Sequence, residues 1–529
     1  MRIPIAIIVD NLTILKWQQS SLNHIRDLVD VKIILNNKNT YYKKNYFKNF
    51  LYYILNILCI KNYLNIKKSI NLFNKCKLIN FETKSSGIYQ EIPNETLKCI
   101  AENNIKLIIK FGMNLIKINE NYKFDIISFH HGDPEYFRGR PSCFYEILYK
   151  SQSVSAIVQI LNNNIDKGQV LERISSKIFL FSYKKTLINL YSKSPYLLRK
   201  SIINWLDNKS LDVTKFGKLY KLPSNFIVSK FIFQLIIQKF RRLIDIIFFE
   251  KKWSISFKDR FNFSKINSLT NENSKEITYD KKKYAFISDP FISYDNNNIY
   301  LEAFNKRNNL GEILIYNIST NSFSNILTDN HYSYPNTISY NKKNYLFPET
   351  AFHSKPFFID LSSDNKIFLK GFEDMRIVDA TYFYHDKIHF IFYGLANSSL
   401  DTLYLSFSEN FLGPYQPHPL NPIILNPNCA RMAGNIIEFE NNLFRFGQDN
   451  TGLYGNGIIV NKIKFLSSLK YTEEFFTTIK FKNFYGPHTI NLNDNRLVFD
   501  FYKKNFNLFI LKQKIKSYLQ LKNLSTLNK

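Results

Sequence analysis

Cysteine is scarce in this 529-residue chain, and so are glycine and proline. The five cysteines, Cys59, Cys76, Cys99, Cys143 and Cys429, are odd in number and form no CxxC pair. That excludes a disulfide scaffold and a cysteine-built zinc site, no metal being expected, and it fits a reduced, cytoplasmic protein. Glycine and proline number 16 each, which excludes collagen-like and Pro/Gly-rich disordered chains. No apolar run reaches the ~18 residues of a membrane-spanning helix. The start, MRIPIAIIVDNLTILKW, lacks a long apolar h-region and a small-residue cleavage site, so it reads as a first β-strand and not as a signal peptide. Acidic residues are outnumbered: 43 Asp and Glu face 71 Lys and Arg, a net charge of +28. Such a surplus suits an anionic partner, whether nucleic acid, membrane surface or phosphorylated substrate. Yet the basic residues form no block of the nucleic-acid-arm kind, and Asn, Lys, Ile, Tyr and Phe crowd the whole chain, as under an AT-rich coding bias. Nucleic acid is therefore not the expected partner.

Hydrophobic residues make up 45% of the chain and aromatics 16%, ample for packed cores, and the length suggests about three domains. PIAIIV (4–9), DVKIIL (30–35), IKLIIKFG (105–112), FDIISFHHG (124–132) and SVSAIVQIL (153–161) read as strands. ETLKCIAENN, CFYEILYK (143–150) and the mixed stretch 45–75 read as helical. Strands alternating with helices imply an α/β layer with a largely parallel sheet. From 175 to 250 the strand pattern gives way to helix-like stretches, the most apolar being FIVSKFIFQLIIQKFRRLIDIIFF (226–249). A buried or inter-domain helix is the favoured reading there. The alternative is an amphipathic helix lying on anionic lipid.

Beyond residue 252 one pattern recurs five times: an apolar strand, an Asp/Asn turn and a second, aromatic-rich strand. The copies are DPFISYDNNNIYLEAF (289–304), YPNTISYNKKNYLFPET (334–350), DATYFYHDKIHFIFYG (379–394), AGNIIEFENNLFRFGQD (433–449) and HTINLNDNRLVFDF (488–501). Matching positions are Tyr300, Tyr345, His389, Phe444 and Leu497, spaced by 45, 44, 55 and 53 residues. A β-hairpin repeating at that period signals a propeller, here with five blades. WSISF (253–257) is placed to join the last blade and close the ring, which removes exposed sheet edges. The expected organisation is an α/β domain over 1–175, a helical linker over 176–250, a five-bladed β-propeller over 251–516 and a tail over 517–529.

Two constellations carry chemistry. In ISFHHGDPEYFRGRPSCFYEI (127–147) and VSAIVQILNNNIDKGQVLERI (154–174), His130 and Asp166 both fall at strand ends, where open α/β sheets bind ligands. A carboxylate beside a histidine fixes its tautomer and stabilises the cation, as proton transfer requires. The bland alternative is that His131 and Asp133 merely stitch a loop. The stretch resembles the formyltransferase fold shared by methionyl-tRNA, glycinamide-ribonucleotide and sugar N-formyltransferases, over roughly residues 1–175. By that resemblance His130 and Asp166 match the catalytic His and Asp, and Arg138-Gly139 match the Arg-Gly element. Ser128 stands where the family has Asn. The resemblance implies acyl transfer with 10-formyltetrahydrofolate as donor, with His131, Asp133 and Arg138 as substrate-binding candidates.

In the repeats, Asp289, Tyr334-Pro335, Asp379, Ala433-Gly434 and His488 hold similar blade positions, with Glu302, Glu349, Arg431, Gln448 and Asp449 nearby. Facing carboxylates suit glycoside chemistry and equally the binding of sugar hydroxyls. Asp in these places also serves as a plain turn residue. SDPFISYD, SYPNTISY, LFPET, VDATYFYHD, GPYQPHPLNPI, ARMAG, QDNTGLYG and GPHTINL resemble the N-terminal propeller-like domain of plant glucosamine inositolphosphorylceramide transferases. Bacterial polysaccharide-cluster proteins carry a similar domain behind a formyltransferase-like one. A more distant similarity, to five-bladed glycoside hydrolases with an Asp-Pro base in the first blade, makes Asp289 a base candidate with Asp379 and Glu349 as further acids. Arg431 and His488 complete the candidate binding set.

Together these readings point to a transferase of cell-surface glycan or glycolipid biosynthesis. It is expected in the cytoplasm or at the inner face of the membrane. The first domain would formylate an amino sugar, and the propeller would bind the glycan, nucleotide-sugar or glycolipid acceptor. Two alternatives stand beside it. In one the propeller is itself a glycosyltransferase or glycosidase; in the other the chain is a non-catalytic glycan-binding protein with a degenerate first domain.

Overall fold

Four of the five apolar runs read as strands near the amino terminus become parallel strands in the computed structural model, joined by one the sequence reading missed, Lys77–Phe81; the structure describes residues 2–39, 47–70, 76–86, 88–119, 122–351, 355–452, 454–493 and 496–527. The chain divides into two compact units, Met1–Phe240 and Arg241–Lys529.

In the first unit, β1 (Ile3–Asp10), β2 (Val29–Asn37), β3 (Lys77–Phe81), β4 (Leu107–Lys110) and β5 (Asp125–His130) run parallel in the order β3-β2-β1-β4-β5. Ile5 to Val9 of β1 are fully buried, as expected of a central strand covered on both faces. The largely parallel expectation stops there. Next, β6 (Ser153–Ile160) pairs antiparallel with β5, and β7 (Gln169–Lys177) pairs antiparallel with β6, so the sheet is mixed. The intervening helix α3 (Phe144–Leu148) has only five residues, about 7.5 Å of rise. That is too short to return the chain along a strand for a parallel crossover. Strand β7 escaped the sequence pattern because Glu172 and Arg173 interrupt its apolar run.

Helix α1 (Lys16–Asn23) packs on α5 (Ser194–Leu206), which also rests on β7. Two further helices, α2 (Asn94–Glu102) and α4 (Tyr183–Tyr191), cover the sheet. The stretch 45–75 is helical only over residues 50–60 and 63–65, with a short strand at Lys67–Ser69. Residues 45, 46 and 71–75 lie outside the described residues. Helix α6 (Asn225–Phe248) does form, but it is not the buried helix favoured above: only Val228 and Phe231 are buried.

The second unit is the five-bladed propeller. Its first three blades are four-stranded sheets built on the inner strands β9 (Tyr284–Ile292), β10 (Ser333–Tyr340) and β11 (Ile377–His385). The fourth blade begins at β12 (Arg431–Met432). The fifth joins the two ends of the unit. Here β8 (Phe249–Asp259) pairs with β14 (Arg496–Phe506) over eleven residues, Trp253 opposite Tyr502 and Phe257 opposite Val498, with β13 (Ile490–Leu492) inside. The closure expected of WSISF is therefore observed, although the turn residues 494 and 495 lie outside the described residues. The second strands carry Tyr300, Tyr345, His389, Phe444 and Leu497, as their spacing predicts. Aromatic and aliphatic side chains of adjacent blades pack together, for example Phe291, Tyr334, Leu346 and Phe392 in one cluster.

Candidate functional site

Side chains alternate across a strand, and residues in parallel register share a face. Ala6, Ile8, Ile108 and Ile126 belong to one apolar cluster, so the same face of the sheet ends, at its carboxyl edge, in Asp10, Lys110, Ser128 and His130. Lys110 lies in register with Ile8 on one side and Ser128 on the other. The apolar floor thus gives way to a polar row where the strands stop.

Within that row His130 Nδ1 lies 3.4 Å from Asp166 Oδ1, and His130 Nε2 lies 3.1 Å from the Phe137 carbonyl. A neutral ring donates to one of these acceptors; a protonated ring donates to both. Asp166 is held in turn by the Gly139 N–H, at 2.8 Å from Oδ2. The Arg138 guanidinium donates to the carbonyls of Gly217 at 2.8 Å and Ile165 at 3.1 Å, so its contacts fix the backbone that carries Asp166. The glycine of His-His-Gly has a steric reason. A Cβ on Gly132 would stand 2.6 Å from the Phe137 oxygen and 2.7 Å from His130 Nε2. Gly132→Ala is accordingly expected to displace the His130 ring and to lower any His130-dependent activity at least tenfold, read against an unchanged unfolding temperature.

The other candidates in this unit have different surroundings. His131 packs among Trp17, Phe129 and Tyr191, the last 4.3 Å away between centroids. Burial, with His130 beside it, pushes its pKa down to about 3; it is a neutral core ring. Asp133 accepts from the Glu135 N–H at 3.0 Å and lies 3.5 Å from Arg173, a loop-fastening role. Ser128 is buried, and its hydroxyl reaches the Phe129 carbonyl at 3.4 Å. Sequence reasoning missed Lys110. Burial pulls its pKa down to about 8 against the opposing pull of Asp10 and Asp166. The signal was present: a lysine ending a run of apolar strand residues in IKLIIK.

In the propeller, the inner strands slip register at Asp289-Pro290, Tyr334-Pro335 and Asp379-Ala380. Asp289, Tyr334 and Asp379 each adopt a left-handed backbone, φ 49°, 46° and 48°. Such a conformation costs roughly 1–3 kcal/mol at a non-glycine residue and collects at functional sites. Gly434 holds the matching place in the fourth blade; a Cβ there would meet the Ile490 oxygen at 1.9 Å. The bulges bring residues of different blades together. The Tyr334 hydroxyl accepts from the Gly434 N–H at 2.8 Å. Arg431 binds Asp379 through Nε and Nη2, and the Asp379 N–H donates to Glu349 at 2.9 Å. Thr489 donates to Asp289, His488 Nε2 lies 3.3 Å from Asp289, and Nδ1 lies 2.6 Å from Asp500.

This is a crowded buried set of acids. Burial, then Asp379, pushes Glu349 up to about 8, with Arg431 opposing. Burial and the neighbouring Asp289 raise Glu302 well above the carboxylate range, and burial raises Asp289 too. Burial lowers His488, but Asp500 and Asp289 outweigh it and raise its pKa. Among the described residues, Asp289, His488 and Asp500 bring possible metal-ligand atoms within 4.8 Å of one another. Asp500 also accepts backbone N–H groups from Asp289, His488 and Thr489, so its oxygens are already engaged within the protein. Gln448 donates to the Met432 carbonyl, and Asp449 pairs with Lys480 at 2.9 Å.

Residues 269–484 match the family model for the N-terminal part of glucosamine inositolphosphorylceramide transferase 1. A curated protein of that name from Oryza sativa subsp. indica is 25% identical over 211 residues, covering 36% of this chain and 27% of its own. The chain thus spans about a quarter of that relative's length. The first unit is similar to solved structures at low identity. A formyltetrahydrofolate deformylase from Pseudomonas putida KT2440 is 15% identical, with TM-score 0.29, covering 40% of this chain and 71% of its own. A sugar N-formyltransferase from Shewanella sp FDAARGOS_354 is 13% identical, with TM-score 0.27, covering 41% and 76%.

Proposed function

We propose that this protein is a transferase of glycan or glycolipid biosynthesis. Its first unit would move a formyl group to the amine of an amino sugar, and its propeller would hold the sugar-bearing acceptor, a nucleotide sugar or a glycolipid. The observation that carries the reading is the His130–Asp166 pair at the carboxyl edge of the sheet. The similarity of the propeller to glucosamine inositolphosphorylceramide transferase 1 supports a glycolipid acceptor. Five free cysteines favour a reducing compartment, the cytoplasm.

Lys110 and Ser128 form a donor set suited to a carbonyl oxygen, with His130 beside them as the base, so the site fits a formyl donor such as 10-formyltetrahydrofolate. When bound, the donor would supply the formyl carbon, its own N–C(formyl) bond breaking as the new amide bond forms, and its nitrogen would leave with the proton that His130 returns. The chain does the rest. His130 Nδ1 takes the proton from the attacking amine, and Asp166 stabilises the resulting imidazolium. The Phe137 carbonyl fixes the ring from its other nitrogen. The Lys110 ammonium and the Ser128 hydroxyl stand on the same face to meet negative charge building on the oxygen, work that preorganised donors do well in a water-poor site. Arg138 and Gly139 keep Asp166 in place.

The test is calorimetric titration with a non-transferable formyltetrahydrofolate analogue, followed by formylation assays on amino-sugar nucleotides. Saturable binding is expected. His130→Ala is expected to cut turnover by roughly 10²–10⁴-fold while the protein stays folded. Absence of binding at millimolar analogue, or full activity in His130→Ala, would refute the reading. The buried acids of the propeller favour a second reading, in which Asp289, Glu349 and Asp379 act on a glycosidic bond. Turnover lost in Asp289→Asn but kept in His130→Ala would select it.

A further inference from the structure

A surface helix normally turns its apolar stripe inward. Helix α6 does this with Val228 and Phe231, the latter stacked 4.2 Å from Phe144. It carries a second apolar stripe that faces out. Phe226 is 80% exposed, Phe233 65% and Phe240 62%, with Ile236, Leu243 and Ile246 exposed as well. At 3.6 residues per turn, Phe226, Phe233, Ile236, Phe240 and Leu243 fall within an arc of about 100°. Exposed basic residues border it, Lys230 and Arg241 on one side and Lys239 on the other. Asp245 is the helix's one acid, and it is paired with Lys504 at 2.5 Å. At the carboxyl end of the helix the Asn507 N–H donates to the Phe248 carbonyl. Phe506, Leu508 and Phe509 of that segment are exposed too.

We propose that α6 docks this protein on an anionic lipid surface, lying in the interface with its outward stripe in the acyl boundary and its arginines and lysines at the headgroups. An apolar stripe with a basic border on each side is the pattern of interfacial helices. Anionic leaflets attract juxtamembrane basic clusters. No described helix is long and apolar enough to cross a membrane, so the helix lies on the surface and does not span it. A protein partner would need acidic residues on both sides of an apolar groove; a lipid leaflet supplies both properties everywhere. The proposal stands apart from the acyl-transfer reading.

The test is co-sedimentation of the full chain with vesicles of phosphatidylcholine alone, or with phosphatidylglycerol added. Binding is expected to the anionic vesicles, weakening as salt rises, and little to phosphatidylcholine. Phe233→Ser/Phe240→Ser and Lys239→Glu/Arg241→Glu are each expected to weaken binding roughly tenfold or more with unfolding temperatures unchanged. No sedimentation with anionic vesicles at millimolar lipid would overturn the proposal, as would wild-type binding in both variants. A dimer in light scattering that Phe233→Ser/Phe240→Ser dissolves would instead assign the stripe to a second copy of the chain. Because none of these readouts involves turnover, failure here is distinguishable from failure of the transferase reading.

Discussion

Asp500→Ala is expected to destabilise the propeller by about 3–5 kcal/mol, the usual cost of removing one partner from a buried ion pair, and to lower its unfolding temperature by roughly 10 °C. Asp500 is fully buried and works as a clamp between the two ends of the ring. Its carboxylate accepts N–H groups from Asp289 in the first blade and from His488 and Thr489 just before β13. It also lies 2.6 Å from His488 Nδ1. Alanine would leave three backbone donors without their acceptor and His488 without its nearer counter-ion, and each unmet buried donor costs about 1–3 kcal/mol. Asp500→Asn keeps an acceptor oxygen and discards the charge, so its loss should be smaller. Trp253 is 4.1 Å from the His488 ring, so indole fluorescence follows the unfolding locally. An Asp500→Ala protein within 1 kcal/mol of the wild type would show that the ring closes without this clamp.

That clamp illustrates what a sequence conceals. The propeller was legible because its pattern is local and repeated: an apolar strand, an Asp/Asn turn and an aromatic strand, five times over. Even the closing strand was legible, since WSISF precedes the first copy with no partner of its own. The grouping of Asp289 with His488 was partly legible, because both open a repeat and equal blade positions converge on one axis. Asp500 was not. It sits inside the second strand of the last copy, and nothing local marks that this aspartate turns inward to collect N–H groups from His488 and Thr489 nearby and from Asp289, 211 positions away. In the first unit the pairing of His130 with Asp166 was expected from two strand ends; the pair forms, but Asp166 reaches His130 from the loop between the antiparallel β6 and β7. Lys110 and the antiparallel run of β6 and β7 were not expected. Strand direction depends on the length of α3, and the burial of a lysine depends on neighbours contributed by β1 and β5. The outward stripe of α6 shows the same limit, since periodicity gives a helix its faces but does not say which of two apolar stripes the core will take.

Glu349 gives the second large effect, and its sign follows from proton linkage. In the unfolded chain this carboxyl titrates near 4.5; in the propeller burial and Asp379 hold it up to about 8. Below pH 4.5 both states keep the proton and the group is neutral to stability. Between about pH 5 and pH 8 the unfolded chain releases the proton while the folded one retains it, so stability falls as pH rises and levels off above the folded value. Burial drives Glu302 and Asp289 the same way, and His488, raised by Asp500 and Asp289, also loses its contribution as pH rises through its folded value. The whole cluster therefore favours the acidic side. Glu349→Gln removes one titration and keeps an oxygen for the Asp379 N–H. Unfolding measured across pH should show the variant within about 0.5 kcal/mol of wild type at pH 4.5 and more stable by about 1–3 kcal/mol at pH 8.5. A variant less stable at pH 8.5 would mean that the carboxylate is ionised and stabilising, and the acid assignment would fall. The same variant separates the two readings of the propeller. A carboxyl that keeps its proton near neutral pH, beside an Asp379 bound to the Arg431 guanidinium, puts two carboxyls in different surroundings within one site, the arrangement that gives them different roles. If the propeller only holds a sugar, the amide preserves binding and leaves formylation untouched. If it acts on a glycosidic bond, Glu349→Gln binds the sugar and turns it over far more slowly.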